Sequence, residues 1–181
     1  MTSAHTPGPR VPHRTAAPDE TAALFKDAFR THPAGVAVIT AAGADGPIGL
    51  TASSVASVSV DPPALAFSVS GGHAATQLAQ AETAIVHLMG TDQLELVRAF
   101  ATSGAPRFTD DHDWSVLESG EPLLHDAPWA LRCELLHKVP VGGSVLMAAE
   151  VLGIRPGGDH GSPLVYHDRT FHALGEHSRV A

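Results

Sequence analysis

The chain has 181 residues, of which 44% are apolar and 17% charged, and its formal net charge is −8. This length suits one domain with a single core, and the acidic balance and scarce aromatic residues argue against nucleic acid as the main partner. Because Cys133 is the only cysteine and no segment reaches the roughly 18 apolar residues of a membrane span or forms a signal-peptide core, we expect a cytoplasmic protein without a membrane partner.

Two regions of different composition follow one another at the amino-terminal end. Residues 1–18 carry four prolines and few large apolar side chains, so we expect a flexible arm there and one folded domain at 19–181. Asp19 is a typical N-cap residue for a first helix. On that helix Leu24, Phe25 and Phe29 recur at helical spacing before Pro33 ends it.

A strand-rich region follows this helix. The pattern predicts strands at 35–40, 48–60 and 64–70, a helix at 73–81, a strand at 83–89, a helix at 92–102, surface loops at 103–128, and strands at 129–137, 144–154 and 164–174, the last with a break near Asp168. The strands and helices do not alternate as they do in a doubly wound fold. A mainly β, antiparallel barrel with flanking helices fits better, because closure removes exposed strand edges.

Common sequence patterns for phosphate loops, nucleophiles and metals are absent or incomplete. Neither G-x-G-x-x-G after a strand nor G-x-x-x-x-G-K-[ST] occurs, and Gly142-Gly-Ser144 is only part of a nucleophile elbow. None of the twelve histidines forms the i, i+4 pair of a helical zinc site. His167, His172 and His177 are spaced by five, which sends alternate members to opposite faces of an extended strand. We therefore expect surface or structural histidines and no metal site.

The segment Thr51-Ala-Ser-Ser-Val-Ala-Ser57 places several hydroxyl groups together where a strand is expected to bend. Side-chain hydroxyls and backbone donors can bind a phosphate or a ribityl chain without charged residues. A half-exposed strand rich in serine and threonine has the same composition and needs no ligand. Composition alone leaves both interpretations open.

Two longer strings carry a family resemblance. They are His32-Pro-Ala-Gly-Val-Ala-Val-Ile-Thr40 and Gly49-Leu-Thr-Ala-Ser-Ser-Val-Ala-Ser-Val-Ser-Val-Asp-Pro-Pro63. Together they resemble the opening of the flavin reductase family, whose FMN-binding split barrels supply reduced flavin to two-component monooxygenases. The similarity continues through Gln93 to Ala101, Arg107-Phe108, Gly120-Glu-Pro-Leu123, and Pro163-Leu-Val-Tyr-His167 with Phe171 and Leu174, and covers residues 20 to 175. It implies an FMN-binding split β-barrel.

The resemblance also implies where a nucleotide would bind. It places Thr51, Ser53 and Ser54 along the flavin and its ribityl phosphate, the segment 70–76 at the phosphate end, and Phe108 near the ring system. The full set of expected contacts is Val36, Thr51, Ala52, Ser53, Ser54, Ser70, His73, Thr76, Phe108 and Ser144.

The chain departs from the family at a few of these places. Family members usually have Asn at Ser70, Ser and Thr at His73 and Ala75, and a Gly-Asp-His turn where this chain has Gly142-Gly-Ser144.

The activity implied is NADH- or NADPH-dependent reduction of FMN or FAD by a homodimer, with release of reduced flavin to a partner monooxygenase. The flavin carries the reactivity, so the protein needs no acid–base pair; it stacks the rings, donates hydrogen bonds and excludes water. An alternative is a flavin-binding or flavin-carrier protein without catalysis, which the missing Gly-Asp-His turn favours. A third is a split-barrel oxidase of the pyridoxamine-phosphate type, for which the chain lacks a basic phosphate cluster.

Overall fold

A computed structural model describes residues 17–158 and 161–180 of the chain. Its helices are α1 (Pro18–Arg30), α2 (Gly72–Leu78) and α3 (Leu94–Ala101), with short 3₁₀ turns at Thr91–Gln93 and Glu176–Ser178. Its strands are β1 (Ala34–Gly35), β2 (Ala37–Gly43), β3 (Gly46–Ala52), β4 (Ala56–Val60), β5 (Pro63–Ser70), β6 (Thr83–Leu88), β7 (Trp114–Val116), β8 (Pro122–Leu124), β9 (Trp129–Val141), β10 (Ser144–Pro156), β11 (Leu164–His167) and β12 (Thr170–Ala173). No helix in these two described ranges has the length and apolar character needed to cross a membrane.

The main sheet has seven strands in the order β3-β2-β6-β9-β10-β5-β4, and every pairing in it is antiparallel. Strand β3 at one end of this order approaches β5 near the other end, and α2 contacts β2, β3 and β5. Across this opening the Ser54 hydroxyl donates to the Ser68 carbonyl and accepts from the Ser68 N–H, both at 3.0 Å. The sheet thus curls into an incompletely closed barrel, and the predicted antiparallel split barrel is confirmed.

The interior of the barrel is filled from nearly every strand of this sheet. Alternate residues along a strand face one side, so Ala37, Ile39 and Ala41 of β2 point inward. There they meet Phe67 of β5 and Met147 of β10, both fully buried. This core fixes the curvature that brings β3 and β5 together.

A second core covers the outside of β2 and β6. Val38, on the opposite face of β2 from Ile39, packs with Val97 and Phe100 of α3, Leu124 of β8 and Leu164 of β11. Gly49 on β3 makes this packing possible, because a Cβ there would lie 2.4 Å from the Phe100 ring. The helix α3 is thereby held against the end of β3.

Several predicted boundaries need correction. The N-cap of α1 is Ala17 and not Asp19, and Pro18, which we assigned to the arm, is its first residue. Proline suits this position because its fixed φ matches the helix and its missing N–H is not needed there. Asp19 lies in the first turn instead.

Two further predictions about the strands were wrong. The single strand expected at 48–60 is two strands, β3 and β4, interrupted at residues 53–55. Residues 103–128 are not loops alone, because they contain the short pair β7 and β8.

The carboxyl-terminal histidines do not alternate across one strand. A turn at Asp168 and Arg169, both with positive φ, folds the segment into the β11–β12 hairpin. The His167 and His172 rings consequently lie 5.7 Å apart. The expectation that His167 and His172 lie on opposite faces of one strand was wrong, because the chain reverses direction between them.

Candidate functional site

A cavity of about 1040 Å³ lies at the opening of the barrel. Its walls come from the ends of β3 and β5, the start of α2, the end of α3 and the loop that follows α3. The lining residues are 47–54, 68–75, 100–101, 103–105, 107–108 and 114. The cavity therefore lies where β3 and β5 approach each other across the barrel opening.

The hydroxyl groups along this cavity have different surroundings. Thr51 donates to the Val97 carbonyl of α3 at 2.8 Å, and Ser54 is bonded to the backbone of Ser68 on β5. Ser53 and Ser70 make no side-chain hydrogen bond to another residue in the described ranges and are exposed. The first two hydroxyls hold the wall together, while the second two are free to meet a ligand.

The turn between β5 and α2 forms the polar end of the cavity. Gly71 and Gly72 adopt φ of 62° and 75°, the left-handed region that favours glycine. A Cβ at either position would contact nothing within 4 Å, so the backbone conformation and not the available space calls for glycine. This turn sets Ser70 and His73 on the cavity wall.

The part of the cavity wall formed by α3 and the segment after it is aromatic. The rings of Phe100 and Phe108 lie 5.1 Å apart, and those of Phe108 and Trp114 lie 5.0 Å apart. Arg107 donates to the carbonyls of Gly49 at 2.9 Å and Thr102 at 3.0 Å, and its guanidinium carbon lies 5.9 Å from the centre of the Phe100 ring. These contacts fix the loop after α3 against β3.

Seven of the ten sequence-predicted contact residues line this one cavity. They are Thr51, Ala52, Ser53, Ser54, Ser70, His73 and Phe108.

The other three lie outside its walls. Val36 is buried in the second core, and the Thr76 hydroxyl donates to the Gly72 carbonyl within α2. Ser144 begins β10 and pairs with Ser70 across the sheet, so it is next to the cavity but does not line it. A role for these three in nucleotide binding stays a prediction.

Sequence reasoning did not select Arg107, Ser68 or Trp114 as site residues. The Arg107-Phe108 pair was part of the family resemblance, and that was the available signal for Arg107. Ser68 and Trp114 reach the cavity only through strand pairing and the path of the loop after α3, which local sequence does not encode.

The described parts of the chain contain neither a metal-binding cluster nor a reactive cysteine. No group of three or more His, Cys, Asp or Glu side chains there could hold a metal ion. Cys133 is fully buried, and burial outweighs the nearby Arg132 charge and raises the pKa of its thiol to about 12. Its thiolate is therefore not formed at neutral pH.

Comparison with known proteins gives consistent results. The model of the flavin reductase like domain matches residues 29–175. An NADH:FMN oxidoreductase of Rhodococcus qingshengii is 36% identical over 178 residues, which cover 94% of this chain and 92% of that protein.

Solved structures agree with the sequence comparison. A flavin reductase domain protein from Arthrobacter sp. FB24 has a TM-score of 0.79 and 32% identity, over 85% of this chain and 96% of that one. The styrene monooxygenase flavin reductase of Pseudomonas putida S12 has a TM-score of 0.73 and 26% identity, over 83% and 97%. With a family match over residues 29–175 and a shared fold, the chain belongs to the flavin reductase like family.

Proposed function

We propose that the chain is an NAD(P)H-dependent flavin reductase that binds FMN in the cavity at the barrel opening. Family membership and the named NADH:FMN oxidoreductase relatives support reduction of a flavin by a reduced nicotinamide nucleotide. The observation that carries the assignment of the site is the gathering of seven resemblance-derived positions around one cavity.

The residues of the cavity fit a flavin nucleotide. One end is polar, with the free hydroxyls of Ser53 and Ser70 and the imidazole of His73, which suits a ribityl phosphate. The other end is apolar and aromatic, with Phe100, Phe108 and Trp114, which suits a ring system. A bound flavin supplies the redox chemistry by accepting a hydride from the nicotinamide.

The chain's own contribution is to bind, orient and exclude water. Arg107 holds the loop that carries Phe108, so the aromatic wall keeps one position. Such fixed walls position reactants without an acid–base pair. Chemistry carried by the flavin needs neither a nucleophilic side chain nor a metal ion from the protein.

Release of reduced flavin to a monooxygenase is part of the proposal. The cavity is open, and free neutral hydroxyls contribute only about 0.5–1.5 kcal/mol each, which suits a flavin that must leave. The similarity to the reductase of a styrene monooxygenase supports an oxygenase as the partner class.

We further propose a homodimer in the cytoplasm. Helix α1 has no buried residue, although Leu24, Phe25 and Phe29 form an apolar face. A second copy of the chain would cover that face. The cytoplasm is proposed because the reaction consumes a reduced nicotinamide nucleotide, which is maintained there.

Oxidation of NADH by the purified protein with excess FMN tests the proposed activity. We expect loss of the nicotinamide absorbance well above the protein-free rate, and FMN to support a higher kcat/KM than FAD. NADPH is the matched comparison for the donor. Flavin binding without any nicotinamide oxidation would instead show a flavin carrier.

A further inference from the structure

Phe108 has a backbone conformation that phenylalanine rarely adopts. Its φ is 55°, in the left-handed region that favours glycine. Among the described residues other than glycine, only Asp168 and Arg169 share a positive φ, and they form the exposed turn between β11 and β12. Phe108 instead lies on the wall of the cavity. A strained conformation persists only where the surrounding contacts hold it in place.

The neighbouring residue, Arg107, supplies such contacts in three directions. Its Nη1 group donates to the Gly49 carbonyl of β3 at 2.9 Å, and its Nη2 group donates to the Thr102 carbonyl after α3 at 3.0 Å. Its guanidinium carbon lies 5.9 Å from the centre of the Phe100 ring. The bond to Thr102 closes the loop after α3 on itself, and the bond to Gly49 fixes this loop to the barrel. Arg107 thereby sets where the backbone enters the next residue.

The Phe108 ring packs against two other rings of the cavity wall. It lies 5.1 Å from the Phe100 ring at an angle of 86° and 5.0 Å from the Trp114 ring at an angle of 62°. A Cβ on Gly49 would come within 3.2 Å of the Phe108 ring, so β3 also limits its position. Edge-to-face contacts of this kind are specific in their geometry. A shift of the Phe108 backbone would therefore displace its ring and change the shape of the wall.

We propose that Arg107 is a positioning residue for hydride transfer, which acts by holding Phe108 in this left-handed conformation. The inference rests on the proposed function and concerns a residue that contacts the backbone of its own chain. Hydride transfer moves two electrons and one proton from the nicotinamide C4 to the flavin N5, so the donor is oxidised and the acceptor reduced. A misplacement of about 1 Å can slow such a step about a hundredfold. Nucleotide binding is spread over many contacts, so loss of Arg107 should slow the transfer more than it weakens flavin binding.

The position of the wall can be measured without any ligand. The chain has two tryptophans, and Trp129 lies at the start of β9 outside the cavity lining, so Trp129→Phe leaves Trp114 as the only one. In this background Arg107→Ala should shift the Trp114 emission to longer wavelength and increase its quenching by acrylamide, because Phe108 no longer packs firmly against it. The matched control is Arg98→Ala on α3, whose exposed side chain pairs with Glu95 and does not line the cavity. It should leave the emission unchanged.

Steady-state oxidation of NADH with FMN, together with FMN titration, tests the effect on the reaction. We expect Arg107→Ala to lower kcat about ten- to hundredfold and to raise the FMN dissociation constant less than about threefold. NADH deuterated at C4 should show a larger isotope effect on kcat in this variant than in the parent. Arg107→Lys keeps the charge but offers one nitrogen in place of the planar fork, so it should lose less than the alanine variant. Arg107→Lys also serves as the test if thermal melts show that Arg107→Ala is less well folded.

A double-mutant cycle tests whether Arg107 acts through Phe108. Glycine adopts a φ of 55° without strain, so Phe108→Gly removes both the strain and the ring. Adding Arg107→Ala to Phe108→Gly should lower kcat further by less than about twofold. A further loss equal to that of Arg107→Ala alone would overturn the proposed role, as would a parent-like kcat or parent-like Trp114 emission in both Arg107 variants. A parent protein that binds FMN but oxidises no NADH would overturn the proposed function, and the Trp114 emission would still decide whether Arg107 holds the wall.

Discussion

Ser53 and Ser54 are neighbours in the chain, but the fold gives their hydroxyls separate tasks. The Ser54 hydroxyl is bonded twice to Ser68 across the barrel opening, whereas the Ser53 hydroxyl lies on the cavity wall without a partner in the described ranges. The sequence places both in a hydroxyl-rich bend. It cannot separate them, because the Ser68 backbone is 14 residues away.

Single alanine substitutions of Ser53 and Ser54 should therefore affect different properties, FMN binding in the first case and stability in the second. Ser53→Ala should raise the FMN dissociation constant about three- to tenfold and leave the melting temperature unchanged. Ser54→Ala should lower the free energy of unfolding by about 1 kcal/mol, because two hydrogen bonds across the opening are lost. Urea unfolding and FMN titration of both variants measure the two effects. A Ser54→Ala protein as stable as the parent would contradict the structural role.

His87 is a second residue whose role follows from its surroundings. It is fully buried, and its Nδ1–H donates to the Val38 carbonyl at 3.1 Å while its Nε2 accepts from the Leu124 N–H at 3.0 Å. Burial lowers the pKa of His87 from 6.5 to about 4. The hydrogen bond to the Val38 carbonyl acts in the opposite direction, and the nearby His125 adds a smaller lowering effect. The neutral ring thus joins β2, β6 and β8.

This lowered pKa predicts a loss of stability in mild acid. Because the unfolded chain takes up the proton more readily, stability is complete above pH 6.5 and falls by up to about 3 kcal/mol as the pH drops to about 4. In the variant His87→Gln the amide can still donate and accept a hydrogen bond. Its free energy of unfolding should differ most from that of the parent at pH 7.5, and the difference should shrink by pH 4. Urea unfolding at these pH values measures it. A constant difference would show that His87 does not titrate in this way.

Strands β7 and β8 are too short to be predicted from the sequence. Each has three residues, too few for an alternating pattern, and β8 begins with Pro122. What anchors the segment is a long-range ion pair, with the fully buried Glu121 accepting from Arg132 of β9 at 2.9 Å. Nothing local in the sequence indicates that these two residues meet.

The Glu121 carboxylate carries a pH dependence of its own. Burial alone would raise its pKa, but hydrogen bonds from Ser119, Thr83 and Arg132 outweigh burial and lower the pKa from 4.5 to about 2. Its stabilisation is therefore complete above pH 4.5 and is lost as the pH falls towards 2. We expect Glu121→Gln to lower the free energy of unfolding by about 2–4 kcal/mol at pH 7, because Arg132 loses its partner.

Guanidinium unfolding of the parent and Glu121→Gln at pH 7 and pH 3 measures this effect. The difference in unfolding free energy between the two proteins should narrow at pH 3, because there the unfolded parent chain binds a proton at Glu121 while the folded carboxylate, with its pKa of about 2, stays mostly ionised. The exposed Arg98–Glu95 pair on α3 offers a control, and Glu95→Gln should change stability by less than about 1 kcal/mol at either pH. A gap for Glu121→Gln that does not depend on pH would contradict the assignment.

Over the whole molecule, local patterns predicted most strands but not how they pair. Residues 35–40 are rich in β-branched apolar side chains and predict one strand, whereas the structure interrupts it at Val36, between β1 and β2. The pairing of β10 with β5 joins segments that lie far apart in the chain, and it is this pairing that places Ser144 beside Ser70. Such register depends on the packing of the completed core, and local sequence patterns do not encode it.

The arm and the domain are separable in our proposal, although residues 1–16 lie outside those that the structure describes. The Ala17 carbonyl accepts from the Thr21 N–H at 2.8 Å, so Ala17 belongs to the first turn of α1. A chain that begins at Ala17 should melt within about 3 °C of the full chain, because the proline-rich arm has no apolar stripe to bury. Differential scanning calorimetry of both proteins measures this. A larger drop would show that the arm packs on the domain.

Helix α1 presents the largest mismatch between sequence pattern and burial. Its apolar stripe predicts a buried face, yet Leu24, Phe25 and Phe29 are 58%, 60% and 61% exposed. Arg30 ties the helix to the rest of the chain: its backbone carbonyl accepts from the Asp168 N–H at 2.9 Å, and its guanidinium pairs with the Asp168 carboxylate at 3.3 Å. An amphipathic helix attached in this way needs a partner surface for its apolar side.

If a second copy of the chain covers this face, charge on it should separate the subunits. We expect the parent protein to sediment as a dimer at micromolar concentration and the double variant Phe25→Glu, Phe29→Glu to sediment as a monomer, because burying two carboxylates would cost more than the contact gains. Glutamate is a good helix former, so α1 itself should persist. Lys26→Gln, which changes charge on the same helix without touching the apolar stripe, should remain dimeric. A parent protein that is already monomeric would contradict the homodimer, whereas a dimeric double variant would place the interface elsewhere, for example at the exposed Val58 and Val60 of β4.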